Sequence, residues 1–125
     1  MKKLLLTAAM AATAGLSTNA LAYDLNEMTW DQIVEQAKSM CAAFGFQSIK
    51  LKGGALEPEL ECESILALRK AFGEEMPLRL DPNAIWSLET AVKYGKQMEG
   101  VLEYYEDPVR GQEEMAQLAQ LVDIP

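Results

Sequence analysis

From Thr29 onward the chain alternates between apolar residues spaced three and four apart and short runs spaced two apart, with few residues between them. Helix and strand in strict alternation admit few folds. They imply an α/β protein whose parallel strands are joined by right-handed helical crossovers. The first helix starts where Thr29 and Gln32 offer a T-x-x-Q capping box. Trp30, Ile33, Val34, Ala37 and Cys41 then form one stripe up to about Phe44, and Gly45 stops the helix. Strands are expected from Gln47 to Lys52, Pro77 to Asp81 and Val101 to Glu106. Helices are expected from Pro58 to the stop at Gly73, from the cap at Ser87 to Gly100, and from Gly111 to Val122. Asp123-Ile124-Pro125 read as the approach to a further strand. Periodicity leaves two architectures open, a doubly wound open sheet or consecutive units of a barrel.

The N-terminus has a different character. Lys2 and Lys3 precede an apolar stretch from Leu4 to Leu16, and Ala20-Leu21-Ala22 has the A-x-A form of a cleavage site. This is the pattern of a secretory signal. The apolar run is too short for a membrane span, which needs about 20 residues. The expected organisation is a signal peptide at 1–22, a lead-in and first helix at 23–43, and a domain at 44–125.

The full chain of 125 residues carries a net charge of −8. Loss of Lys2 and Lys3 with the signal makes it more negative. Such a chain repels nucleic acid and anionic lipid, so neither is expected as a partner. The chain contains no histidine, which excludes Ser-His and Cys-His nucleophile pairs and any histidine metal site within it. Cys41 and Cys62 sit among apolar residues of helices, where an unpaired thiol behaves as a small hydrophobe. That reading is preferred here to a disulfide. Gly53-Gly54 is too little to be a phosphate-binding loop.

Ionisable side chains collect at the C-terminal ends of the strands, where α/β folds bind ligands. Lys50 and Lys52 close the first strand, Asp81 and Asn83 the second, and Glu106 and Asp107 the third. Side chains two apart share a face. Lys50 and Lys52 therefore oppose Ile49 and Leu51, and Arg79 and Asp81 oppose Leu78 and Leu80. A single charged strand end is ordinarily a solvated one. Three in succession, with two lysines facing carboxylates, suit a lysine base beside a hard cation held by oxygen ligands.

Three segments resemble the enolase superfamily, closest to its glucarate dehydratase branch. Ser48-Ile49-Lys50-Leu51-Lys52-Gly53-Gly54 is similar to the K-x-K strand. Leu80-Asp81-Pro82-Asn83-Ala84-Ile85-Trp86-Ser87 is similar to the metal-binding D-x-N segment, and Leu102-Glu103-Tyr104-Tyr105-Glu106-Asp107-Pro108 to the strand ending in E-D-P. The resemblance implies consecutive βα units of an incomplete (β/α)8 (TIM) barrel. It makes Lys52 the base that removes a proton α to a carboxylate. Lys50 becomes its cationic neighbour, favouring the neutral form of the base. Asp81 and Glu106 become Mg²⁺ ligands, and Asn83 a substrate-binding residue. The implied reaction is loss of water from a sugar diacid.

The resemblance also implies a third metal ligand and a histidine acid that the chain does not contain, so it is expected to be a fragment, inactive alone. A shorter segment after E-D-P than in glucarate dehydratases makes Glu106 a weaker assignment than Asp81. The other function class is a non-catalytic exported protein, a solute-binding or interaction module; Tyr23 to Lys38 is similar to the mature start of periplasmic solute-binding proteins. An incomplete barrel would leave two unpaired strand edges and favour self-association. The signal implies a periplasmic or secreted protein, although the superfamily members it resembles are cytoplasmic. Bacterial expression should give a periplasmic product beginning at Tyr23. N-terminal sequencing that finds Met1 on a cytoplasmic product would exclude the signal.

Overall fold

The computed structural model describes residues 4–6 and 29–125. Among them, strands β1 (Leu4–Leu6), β2 (Ile49–Lys52), β3 (Leu78–Asp81) and β4 (Tyr104–Tyr105) form one parallel sheet in chain order. Helices α1 (Trp30–Phe44), α2 (Pro58–Phe72), α3 (Leu88–Met98) and α4 (Gly111–Leu121) complete the alternation. The expected signal at 1–22 lies outside the described residues except for Leu4–Leu6, and the lead-in at 23–28 lies outside them entirely.

Local chemistry explains the helix ends. The Thr29 amide donates to Gln32 Oε1 at 2.9 Å, which is the Gln32 half of the expected box. Gly45 ends α1 in the left-handed region at φ 67°, its amide on the Cys41 carbonyl at 2.8 Å. Pro58 stands at the first position of α2, where its missing N–H costs nothing. Ser87 Oγ accepts the Thr90 amide at 3.1 Å and starts α3. The C-terminal turn of α2 is also an anchor. Arg69 donates from Nη1 to the Gly73 carbonyl at 2.6 Å and the Met76 carbonyl at 2.9 Å, and from Nη2 to the Val101 carbonyl at 2.6 Å. One guanidinium thus fixes the approaches to both β3 and β4.

The third expected strand is shorter than its sequence pattern. Val101 and Leu102 turn back on α3, both amides donating to the Met98 carbonyl. Pairing resumes at Glu103, whose amide donates to the Leu78 carbonyl at 2.8 Å, and ends with the Glu106 amide on the Leu80 carbonyl at 2.9 Å. The edges are less bare than expected. Leu4 and Leu6 pair with Ile49 and Leu51 on one side. On the other, the Tyr105 amide donates to the Pro125 carbonyl at 2.8 Å, so the expected approach to a further strand is formed.

The helices pack in sequence, α1 on α2, α2 on α3 and α3 on α4. They cover one face of the sheet. Ile49, Leu51, Leu78, Leu80 and Tyr105 are buried in one core with Ile65, Leu68, Ala91, Met98 and Leu118 from the helices. Cys62 belongs to this core and Cys41 lies at its margin; both thiols are unpaired. Burial pushes the Cys62 thiol up to about 11. No helix among the described residues is long and apolar enough to cross a membrane. Ile65 is fully enclosed, so Ile65→Ala leaves a cavity with nothing to fill it. It should cost about 2–5 kcal/mol in urea unfolding.

Candidate active site

β2 and β3 run in strict register, Lys50 opposite Arg79 and Lys52 opposite Asp81. Since Ile49, Leu51, Leu78 and Leu80 occupy the helix-covered face, period-two alternation delivers Lys50, Lys52, Arg79 and Asp81 to the other. Glu106 joins them from the end of β4.

The five residues singled out in the sequence meet in one network. Lys50 Nζ contacts Asp81 Oδ2 at 3.2 Å and also bonds Glu106 Oε2. Lys52 Nζ reaches the same Asp81 Oδ2 at 2.5 Å. Asp81 Oδ1 accepts the Asn83 backbone amide at 3.0 Å. The Asn83 side chain donates from Nδ2 to the Gly53 carbonyl at 2.7 Å, so it ties the β3–α3 loop to the end of β2. The Asp81 side chain is only 4% exposed. Burial pushes its carboxyl up, but the bonds from Lys52, the Asn83 amide and Lys50 outweigh that and hold it below the usual carboxylate range. Burial likewise disfavours charge on Lys50, but the carboxylates of Glu106 and Asp81 overcome it and raise its pKa. Lys50 is thereby kept as an ammonium beside Lys52.

Backbone strain gathers at the same rim. Asn83, Ala84 and Asp107 have φ of 59°, 58° and 41°, a region that disfavours residues with a Cβ. The Ala84 amide donates to the Asp107 carbonyl at 2.6 Å and clasps the two loops together. Below the rim Arg79, 4% exposed, donates from Nε to Glu103 Oε2 at 2.5 Å and lies 5.0 Å over the Tyr104 ring. Sequence reasoning placed Arg79 on this face without seeing that it is buried. Glu61 was missed altogether. It lies in the first turns of α2, where a glutamate resembles an ordinary solvated charge, yet it is 1% exposed.

The donor chemistry fits Mg²⁺. Asp81 and Glu106 are close enough for one ammonium to touch both. Mg²⁺ binds through one or two carboxylates and retains several waters. Among the described residues no third acidic or thiol group joins these two in a metal-binding cluster.

The depressed Asp81 carboxyl has a signed consequence. A group whose folded pKa lies below its unfolded value, about 3.9, contributes stability at higher pH and loses it as pH falls through the folded value. The stability gap between the wild type and Asp81→Asn, read from urea midpoints, should hold between pH 7 and about 5 and close on further acidification. A gap that stays constant to the acid limit would rule this out.

The sequence model of the enolase C-terminal domain-like family matches residues 32–125. A probable glucarate dehydratase of Streptomyces coelicolor is 45% identical over 93 residues, which are 74% of this chain and 21% of that protein. An L-talarate/galactarate dehydratase of Salmonella typhimurium is 38% identical over 84 residues, 65% of this chain and 21% of that protein. The crystal structure of an enolase from Thermobispora bispora complexed with magnesium and formate superposes with a TM-score of 0.85 at 43% identity, covering 99% of this chain and 29% of that one. The chain therefore spans less than a third of these relatives, and its described residues share the parallel α/β architecture of the superfamily's barrel. A family match over most of the sequence, a shared fold and the placement of the K-x-K, D-x-N and E-D-P segments together make this chain a member of the enolase C-terminal domain-like family.

Proposed function

We propose that this chain carries the proton-abstracting base and two metal carboxylates of a Mg²⁺-dependent acid-sugar dehydratase of the glucarate dehydratase type. One observation carries the reading: Lys50 joins Asp81 to Glu106, while Lys52 stands on the same Asp81 carboxylate. A base, a permanent cation and two oxygen donors thus share one strand-end rim. The similarity to dehydratases of two sugar acids supports the substrate class.

In this reading Asp81 and Glu106 hold Mg²⁺, which when bound supplies positive charge against the substrate carboxylate. Lys52 Nζ takes the proton from the carbon α to that carboxylate, and the electron pair of the broken C–H bond passes into the carboxylate. Lys50, charged and adjacent, attracts the same group. Asn83 ties the loop that follows Asp81 to the end of β2 and donates its amide to the Asp81 carboxylate. Expulsion of the β-hydroxide needs an acid, and the chain has no histidine for that role. The proposed partner is a small acid sugar rather than nucleic acid or membrane, with self-association through the sheet edges. The proposed location is periplasmic or secreted, from the signal pattern.

Two measurements test the reading. Mn²⁺ in place of Mg²⁺ should bind the chain, and Asp81→Asn and Glu106→Gln should each weaken binding by about tenfold or more. Binding indifferent to both substitutions would sink the proposal. Glucarate with Mg²⁺ should give no keto acid beyond a Lys52→Ala control, because the groups of a site act as a unit.

A further inference from the structure

Glu61 stands outside the chemistry just described, yet it is among the most enclosed charged residues of the molecule, 1% exposed. Its Oε1 accepts three successive backbone amides from the loop joining β2 to α2: Gly54 at 2.6 Å, Ala55 at 3.1 Å and Leu56 at 3.1 Å. Its Oε2 is buried without a hydrogen-bond partner. It lies against Gly53, where an added Cβ would come within 2.6 Å of it. The two glycines are therefore demanded by close approach. Gly53 has no room beside Glu61, and Gly54, at φ 82°, has none beside the Pro82 carbonyl, 2.8 Å from where its Cβ would be.

Gly53 also joins the two strands of the site. Its amide donates to the Asp81 carbonyl at 2.8 Å, and its carbonyl accepts Asn83 Nδ2 at 2.7 Å. It directly follows Lys52. The loop that Glu61 grips is thus bonded, at the glycine that opens it, to Asp81 and to Asn83 two residues on. Three amides converging on one carboxylate oxygen near the start of a helix are a strong anchor for a short, glycine-rich loop.

We propose that Glu61 is a positioning residue: by holding the Gly54–Leu56 backbone, and through it Gly53, it sets the placement of Lys52 against Asp81. This rests on the reading that Lys52 and Asp81 act together, and it adds a residue that touches neither substrate nor metal.

Amide hydrogen exchange of the full chain tests the idea without turnover. In Glu61→Ala the Gly54, Ala55 and Leu56 amides should lose protection at least tenfold, and the Gly53 amide should follow. The reference amides of Ile49, bonded to Pro77, and Glu103, bonded to Leu78, should change by less than twofold. Glu61→Gln keeps an acceptor at Oε1 and should restore the protection. Mn²⁺ affinity should fall about tenfold in Glu61→Ala and recover in Glu61→Gln, which a purely structural defect in the core would not produce.

A Gly53 amide that stays protected while Gly54–Leu56 exchange freely would overturn the proposal. So would a Glu61→Gln variant as impaired as Glu61→Ala. If Glu61→Ala fails to fold, Gly53→Ala pushes the same contact from the other side and should release the same amides with the reference pair intact; unchanged loop protection there would also overturn it. Failure of the wild type to bind Mn²⁺ would count against the dehydratase reading, while the exchange pattern alone decides the role of Glu61.

Discussion

Parallel pairing of β2 with β3, Ile49 opposite Leu78 and Lys52 opposite Asp81, sorts the side chains of these two strands between the faces of the sheet. A slip of one residue would send Lys50 and Lys52 into the helix-covered core and the leucines to the open face. The register is held from both ends. Below it, the Ile49 amide meets the Pro77 carbonyl; above it, the Gly53 amide meets the Asp81 carbonyl. The apolar core and the charged rim are two outcomes of this one constraint, since burying Leu51 and Leu80 is the same act as presenting Lys52 and Asp81.

Much of this was legible in the sequence because the signals are local. Pro58, Ser87 and Gly45 mark helix ends through their own backbone chemistry: α2 and α3 begin, and α1 stops, where those signals stand. The charged strand ends were legible through alternation alone. What was not legible depends on partners distant in sequence. Val101 and Leu102 look like strand, but the Met98 carbonyl captures both amides, and β4 keeps only two residues. Arg79 carries no local mark of burial; its enclosure comes from Glu103 and the Tyr104 ring on the next strand. Glu61 reads as surface charge until the loop before it folds back onto its carboxylate.

The glycines before α2 show how a sequence feature can be noticed and left unexplained. Gly53-Gly54 is too little to be a phosphate-binding loop, which leaves the pair without a use in the sequence alone. The structure gives the pair an internal use: the backbone passes so near Glu61 and Pro82 that no side chain fits. The loop amides that would otherwise face an external anion are satisfied by a residue of the chain itself.

At the rim, Lys50 and Lys52 stand against Asp81 and Glu106, two positive charges against two negative. With every group charged the quartet is neutral. On the proposed reading Lys52 acts as a base only after giving up its proton, which leaves the single ammonium of Lys50 against the two carboxylates. A divalent cation held by Asp81 and Glu106 would turn that one excess negative charge into one excess positive charge, the sign that attracts an acid sugar.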